Sequence, residues 1–178
     1  MSDRLSRFDW IDHGLKTLAV EGPAGLKAGL LAAALGVSRG SFYWHFADLA
    51  AFHGEILRAW QERTTEQTIQ LMESGRAGPD RLKFLLRRAF KYGAALDRAV
   101  RAWAATDPVV AAAVATVDDR RIGYIEGLLT AAGQPLAKAQ ARARFLYWAY
   151  LGQAIVMAPG HATLSARQLD DISALFEA

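Results

Sequence analysis

Apolar residues recur at intervals of three and four along nearly the whole chain, the spacing that lines one face of an α-helix. Strand-like alternation bounded by turn dipeptides is missing. Phe8, Ile11, Leu15 and Leu18 form a first stripe, which ends at the Glu21-Gly22-Pro23 break. A short Ala- and Leu-rich helix, about 28–35, stops at Gly36, a residue able to take the left-handed conformation at a helix end. Ser38 is placed to cap the next helix, in which Phe42 and Phe46 sit four apart and face inward together. Asp48 caps a long helix to about Glu73, and 74–79 (SGRAGP) reads as a loop whose Pro79 suits the first turn of the following helix. Thr106-Asp107-Pro108 opens a helix that closes at Ala132-Gly133, and Pro135 opens another that runs to Pro159-Gly160. Ser165 and Gln168 have the spacing of a capping box for a terminal helix with Leu169, Ile172 and Phe176 on one face. The pattern predicts an all-α chain of about nine helices.

Composition narrows the class. Of 178 residues 52% are hydrophobic, enough to form a core. There is no cysteine, which excludes a disulfide framework, a thiolate zinc site and a cysteine nucleophile. The first ten residues, MSDRLSRFDW, carry charges where an export signal needs an apolar run, and no stretch is apolar enough to cross a bilayer. The expectation is a cytoplasmic protein with no membrane partner. Net charge is +3, but its distribution is uneven. Over residues 1–50 five basic residues balance five acidic ones, whereas residues 76–101 hold eight basic against two acidic. The run 81–91 can touch DNA or a ligand carboxylate, but its spacing suits first an exposed face. Charge alone therefore does not locate a nucleic-acid surface.

A motif does. In Gly36–Phe46, GVSRGSFYWHF, a glycine turn joins two short helices that share Leu31, Leu35, Val37, Phe42 and Phe46 as core, the layout of a helix-turn-helix. With the phenylalanines inward, Arg39, Gly40, Tyr43 and Trp44 fall on the other side, where a major groove would explain exposed aromatics. Arg39 can reach a phosphate or a guanine edge, and Tyr43, Trp44 and His45 can offer phosphate bonds or contact thymine methyls. Over about residues 8–58 the chain resembles the TetR family of one-component repressors. The likeness is carried by GLK…LAAALGVSRGSFYWHFADLAAF and above all by its YWHF block.

That resemblance implies a three-helix DNA-binding domain over 1–50 and a ligand-binding and dimerisation bundle over 51–178. It implies a DNA-facing set of Ser38, Arg39, Gly40, Ser41, Tyr43, Trp44 and His45, with Lys27 and Ala28 at the start of the supporting helix. It further implies a homodimer on a palindromic double-stranded operator, released by a small molecule. Asp48 and Leu49 stand where the family usually has a lysine for the phosphate backbone, and Gly29 where a polar or basic residue is common. Few phosphate contacts imply a shallow salt dependence of binding.

The other motifs fail their structural requirements. Gly36-Val37-Ser38-Arg39-Gly40 matches a hydrolase nucleophile elbow, but a helix stands where that motif needs a strand. The histidines form no pair at metal-ligand spacing, and Asp118-Asp119-Arg120-Arg121 reads as a solvated turn of helix. No metal, cofactor or catalytic constellation is expected. In the C-terminal part Trp103, Tyr124 and Tyr147 combine an apolar body with a polar tip and are candidates to line a pocket for an apolar or aromatic effector. The helix from Pro135 repeats Leu136, Ala143, Tyr150 and Met157 at seven-residue intervals. Ala143, Tyr150 and Met157, with Ile172 and Phe176 of the last helix, are the candidate dimer seam. The function expected is a ligand-responsive transcriptional regulator, a repressor by family habit. A DNA-binding regulator without a small-molecule ligand and an all-helical enzyme remain open beside it.

Overall fold

In the computed structural model, which describes residues 5–75, 80–91, 95–153 and 164–177, helix α1 (Arg7–Glu21) opens on a reciprocal cap. The Asp9 amide donates to Ser6 Oγ at 3.3 Å and the Ser6 amide donates to Asp9 at 2.7 Å, so two orphan donors are satisfied at once. After a short 3₁₀ turn (Pro23–Gly25) come α2 (Ala28–Ala34) and α3 (Arg39–Tyr43). Between them Gly36 takes φ +69°. Its amide donates to the Ala33 carbonyl at 3.1 Å and the next, Val37, to the Ala32 carbonyl at 3.0 Å, which ends α2 in a Schellman turn.

Asp48 caps α4 (Leu49–Gln61), its carboxylate accepting from the Ala51 amide at 2.7 Å. The rod then widens into a π turn (Glu62–Glu66) and continues as α5 (Gln67–Glu73). Thr64 Oγ1 donates to the Trp60 carbonyl at 2.8 Å within that turn, a side-chain bond of the kind that competes with the backbone ladder and loosens a helix. The remaining helices are α6 (Arg81–Lys91), α7 (Ala95–Ala104), α8 (Pro108–Ala131), α9 (Leu136–Leu151) and α10 (Ala166–Glu177). With α4, the π turn and α5 counted as one rod, the helices of the described residues number nine, with no strand among them. Asp107 caps α8 through the Val109 and Val110 amides at 2.9 and 3.3 Å, and Ser165 with Gln168 closes the expected box on α10. The expected opening at Pro79 and the run of α9 to Pro159-Gly160 lie outside the described residues, as does Met157.

The chain divides into two compact units, residues 1–64 with 95–114, and residues 65–94 with 115–178. This differs from a simple division at residue 50, because α7 packs on α1 and joins the first unit. That unit is organised by rings. Phe42 lies 5.4 Å from Trp10, 5.1 Å from Phe46 and 5.2 Å from Phe52, with Phe46 to Phe52 at 4.9 Å. All but the tilted Phe42–Phe46 pair meet edge-on, and such aromatic pairs add roughly 0.5–1.5 kcal/mol each beyond their burial. The inward stripe of α1 keeps Leu15 and Leu18 as expected but replaces Phe8 with Trp10. Trp10 is fully buried while Phe8 is 65% exposed, and Gly14, Leu15, Thr17 and Leu18 share the buried face. Glycine and threonine hide that stripe from a hydrophobicity count, and packing requires the glycine: a Cβ on Gly14 would lie 2.6 Å from both Ile56 Cδ1 and Phe52 Cζ. Trp60 extends this core toward α7, its indole donating to buried Asp97 at 2.6 Å.

In the second unit Leu82 and Leu86 of α6, Ile125 and Leu129 of α8, and Ala139, Ala143, Leu146 and Tyr147 of α9 form the core, with Tyr150, Ile172 and Phe176 packed against it. Ala143 is 0% exposed and has no surface to offer a partner, whereas Leu136 of the same seven-residue series is 58% exposed. Tyr150, Ile172 and Phe176 are partly engaged in the same core. The basic face of α6 is also less free than expected. Arg87 Nε donates to Asp170 of α10 at 2.6 Å, its Nη2 bonds the other oxygen, and Lys83 reaches the same carboxylate at 3.3 Å. Arg87 first, with Lys83, holds the Asp170 carboxyl below its ordinary range, so this clasp is complete at neutral pH and is lost only as acidification passes through that lowered value. The 118–121 turn is likewise more engaged than expected, although Asp119 and Arg120 are exposed. Asp118 accepts from Tyr147 at 2.6 Å, Arg120 pairs with Glu66 at 3.1 Å, and Arg121 donates to Thr65 at 2.9 Å.

Because Phe52 and Ile56 are fully buried, they cannot yield to a new methyl group without disturbing the ring cluster. Gly14→Ala is expected to cost about 1–3 kcal/mol, read as a lowered midpoint in urea unfolding. An unchanged midpoint would mean that α1 and α4 do not meet as closely as described.

Candidate nucleic-acid interface

Burying Phe42 and Phe46 sets the orientation of everything else on α3. Tyr43 is 47% and Trp44 78% exposed, and Arg39 and Gly40 are exposed beside them. Ser38 occupies the cap position, exposed, but its side chain makes no capping bond, which leaves the hydroxyl available. The regular helix is short: it ends at Tyr43, and Trp44 and His45 form the closing turn, with the His45 and Phe46 amides both donating to the Phe42 carbonyl at 3.0 and 3.1 Å. Arg39 and Tyr43 lie one turn apart, Arg39 Nη2 donating to Tyr43 Oη at 3.2 Å. On α2, Lys27 is exposed at the cap, whereas Ala28 is buried with 6% exposure. The Ala28 side chain therefore faces core, and only its main chain at the helix start is left to meet a phosphate. Ser41 and His45 are half-buried. The structure thus brings Arg39, Gly40, Tyr43 and Trp44 together on one outward face and sets Ala28 off it.

Arg7 was not singled out by sequence reasoning, yet it ties the site together. From the first turn of α1 it donates to the His45 carbonyl at 2.7 Å and to Glu55 of α4 at 2.6 Å, and its guanidinium lies 4.8 Å over the Phe46 ring. It fixes the closing turn of α3 to the two flanking helices. Nothing local in the sequence signals this, because the partners are 38 and 48 residues away.

The three pocket candidates are divided between the two units. Trp103 belongs to the first unit, where it is buried edge-on against His53 at 4.9 Å. Tyr147 and Tyr124 belong to the second. Tyr147 is core with its hydroxyl on Asp118, whereas the Tyr124 hydroxyl is buried with no hydrogen-bond partner among the described residues. Burial first, and then the negative charge of Glu73, push the Tyr124 phenol above its ordinary pKa, so it stays a neutral donor. No group of three metal-ligating side chains occurs among the described residues, and no helix there is long and apolar enough to cross a membrane.

Two short helices joined by a glycine turn, packed on a third and presenting a basic-aromatic face outward, define a helix-turn-helix DNA-binding domain. Residues 11–51 match the family model described as bacterial regulatory proteins, tetR family. Over this segment the chain is similar to the DNA-binding domain of that family of transcriptional regulators. No curated protein matches the sequence. Among solved structures, the multidrug binding protein EbrR, complexed with imidazole, shares the fold at TM-score 0.63 and 20% identity, covering 98% of this chain and 96% of that one. A protein from Rhodococcus sp. assigned as a TetR-family transcriptional regulator gives 0.66 at 17% identity, with 96% of each chain covered. A transcriptional regulator from Cytophaga hutchinsonii gives 0.67 at 15% identity, with 94% of each covered.

The Arg7 side chain is half exposed, so its ion pair with Glu55 is expected to add little to stability and Arg7 to act mainly by placing α3. Arg7→Ala is expected to change unfolding free energy by less than ~1 kcal/mol while weakening binding to a selected operator about tenfold, equivalent to roughly 1.4 kcal/mol. Gel-shift titration beside denaturant unfolding separates the two, and parallel loss of both would assign Arg7 to stability instead.

Proposed function

We propose that the protein is a repressor that binds a palindromic operator as a homodimer in the cytoplasm and is released by a small apolar or aromatic effector. The observation that carries the DNA-binding part is the outward face of α3 and its closing turn, where Trp44 is 78% exposed two residues after the fully buried Phe42. A large exposed aromatic next to the best-packed ring of the domain is costly in water and is explained by a groove that covers it.

A second apolar surface supports the dimer. On α9 the residues facing away from the core include Phe145 and Trp148, 58% and 63% exposed, and Leu175 of α10 is 69% exposed. Phe145 stacks on Phe176 at 5.9 Å, which joins the two helices into one face. A copy of the same face is the natural cover, since a two-fold axis sets each patch against itself, and two such helices from each protomer make a four-helix contact. This face takes the place of Ala143, while Phe176 and Ile172 support it from beneath. Two recognition helices related by that axis then meet successive major grooves about 34–36 Å apart.

For the effector, Tyr124 offers a buried hydroxyl without a hydrogen-bond partner among the described residues, the kind of polar group that small-molecule sites use for orientation. The fold shared with a multidrug binding protein complexed with imidazole supports the same class of ligand. Operator and effector favour different dimer geometries, coupled along the continuous rod of α4, the π turn and α5, so each weakens the affinity of the other by the same factor.

The dimer face gives the sharpest test. The double variant Phe145→Glu, Trp148→Glu is expected to sediment as a monomer at micromolar concentration with unchanged helicity and to lose operator binding at least about a hundredfold, because the half-sites are no longer engaged together. A wild-type chain that itself sediments as a monomer at micromolar concentration would contradict the proposal.

A further inference from the structure

We infer that Arg39 and Tyr43 form one reading unit, in which the Tyr43 hydroxyl aims the Arg39 guanidinium at a guanine edge rather than at a phosphate. The inference rests on α3 being the helix that enters the groove.

Three observations converge on it. Arg39 stands at the first position of α3 and Tyr43 one turn later, and the two touch twice: Nη2 to Oη at 3.2 Å, and guanidinium carbon to ring centroid at 5.7 Å. The ring beneath is itself fixed, edge-on to buried Phe42 at 5.3 Å. The guanidinium is thus seated on a side chain that the core holds in place, and little rotamer freedom remains to be lost on binding. Secondly, the acceptor is neutral. Arg7, Arg58 and Arg63 are each ion-paired with Glu55 or Asp12, whereas the partner of Arg39 is a neutral phenol, which does not offset the positive charge offered to DNA. Thirdly, Gly40 follows Arg39, and a Cβ there would meet nothing nearer than Ser38 Oγ at 3.7 Å. The helix surface beside Arg39 is open, so the backbone can come close to base edges.

A phosphate asks only for a nearby cation, and Lys27, exposed at the cap of α2, can provide one. A guanine presents O6 and N7 together in the major groove, and matching both requires a planar fork held in register. Bracing by a hydroxyl is useful for the second task and redundant for the first. Tyr43 is in this sense a positioning residue, acting through Arg39.

The test is in vitro selection from random duplex DNA with the full-length protein, followed by affinity measurements on every single-base change of the wild-type site. The wild type is expected to fix a guanine in each half-site, preferred over the other bases by roughly 10- to 100-fold. Tyr43→Phe, which keeps the ring on Phe42, and Arg39→Lys, which keeps the charge, are both expected to reduce that preference to a few-fold at the same base pair and to leave the other positions unchanged. Restoring the hydroxyl alone, by comparison of Phe with Tyr at position 43 in an Arg39→Lys background, is expected to have no effect. Uniform weakening across all single-base changes in both variants would assign Arg39 to a phosphate and overturn the inference while leaving α3 as the DNA-binding helix. A wild-type protein that enriches no sequence would overturn the α3 reading and the inference with it.

Discussion

The ring of Phe42 is the constraint on which the DNA-binding unit depends. It touches Trp10 of α1, Phe46 beyond α3 and Phe52 of α4 at 5.1–5.4 Å. A five-residue helix has no stability of its own in water, so α3 exists because this contact docks it. Once Phe42 is fixed inward, geometry sends Tyr43 and Trp44 outward. The recognition surface is therefore a by-product of core packing, set by a single register. Arg7 then fastens the end of the helix through the His45 carbonyl, and Gly14 allows α1 to approach α4 closely enough for the ring cluster to close.

Electrostatics has a smaller part than a basic protein would suggest. The densest basic run, on α6, is partly consumed within the second unit, where Asp170 accepts from Arg87 and Lys83. The arginines around the helix-turn-helix are mostly committed to Glu55 and Asp12. Under the proposed function, a reader built in this way relies on shape, on aromatic contact and on dimer geometry, with long-range attraction contributing little.

Much of this was legible in the sequence, and the divide follows a physical line. Features set by neighbours within a turn of helix could be read directly: the caps at Asp48, Asp107 and Ser165, the glycine turn at Gly36, and the inward pair Phe42 and Phe46. Features set by what lies across a helix could not. The buried stripe of α1 passes through Gly14 and Thr17, so an apolar count preferred the stripe containing Phe8. On α9 both faces are apolar, and periodicity alone could not tell that Ala143 faces the core while Phe145 and Trp148 face out. Arg7 and Asp170 are ordinary charges until the fold supplies their partners. Trp103 and Tyr124 look alike in sequence, but one fills a core and the other keeps a buried hydroxyl free of partners among the described residues.

The central claim is that DNA is read by the face of α3 and not by the basic helix α6. Backbone NMR shifts recorded as a selected operator duplex is titrated into the protein test this most directly. The account predicts that the largest changes fall on residues 38–45 and at Lys27, with residues 81–91 nearly unmoved. Changes concentrated on 81–91, with Arg39, Tyr43 and Trp44 unaffected, would contradict it.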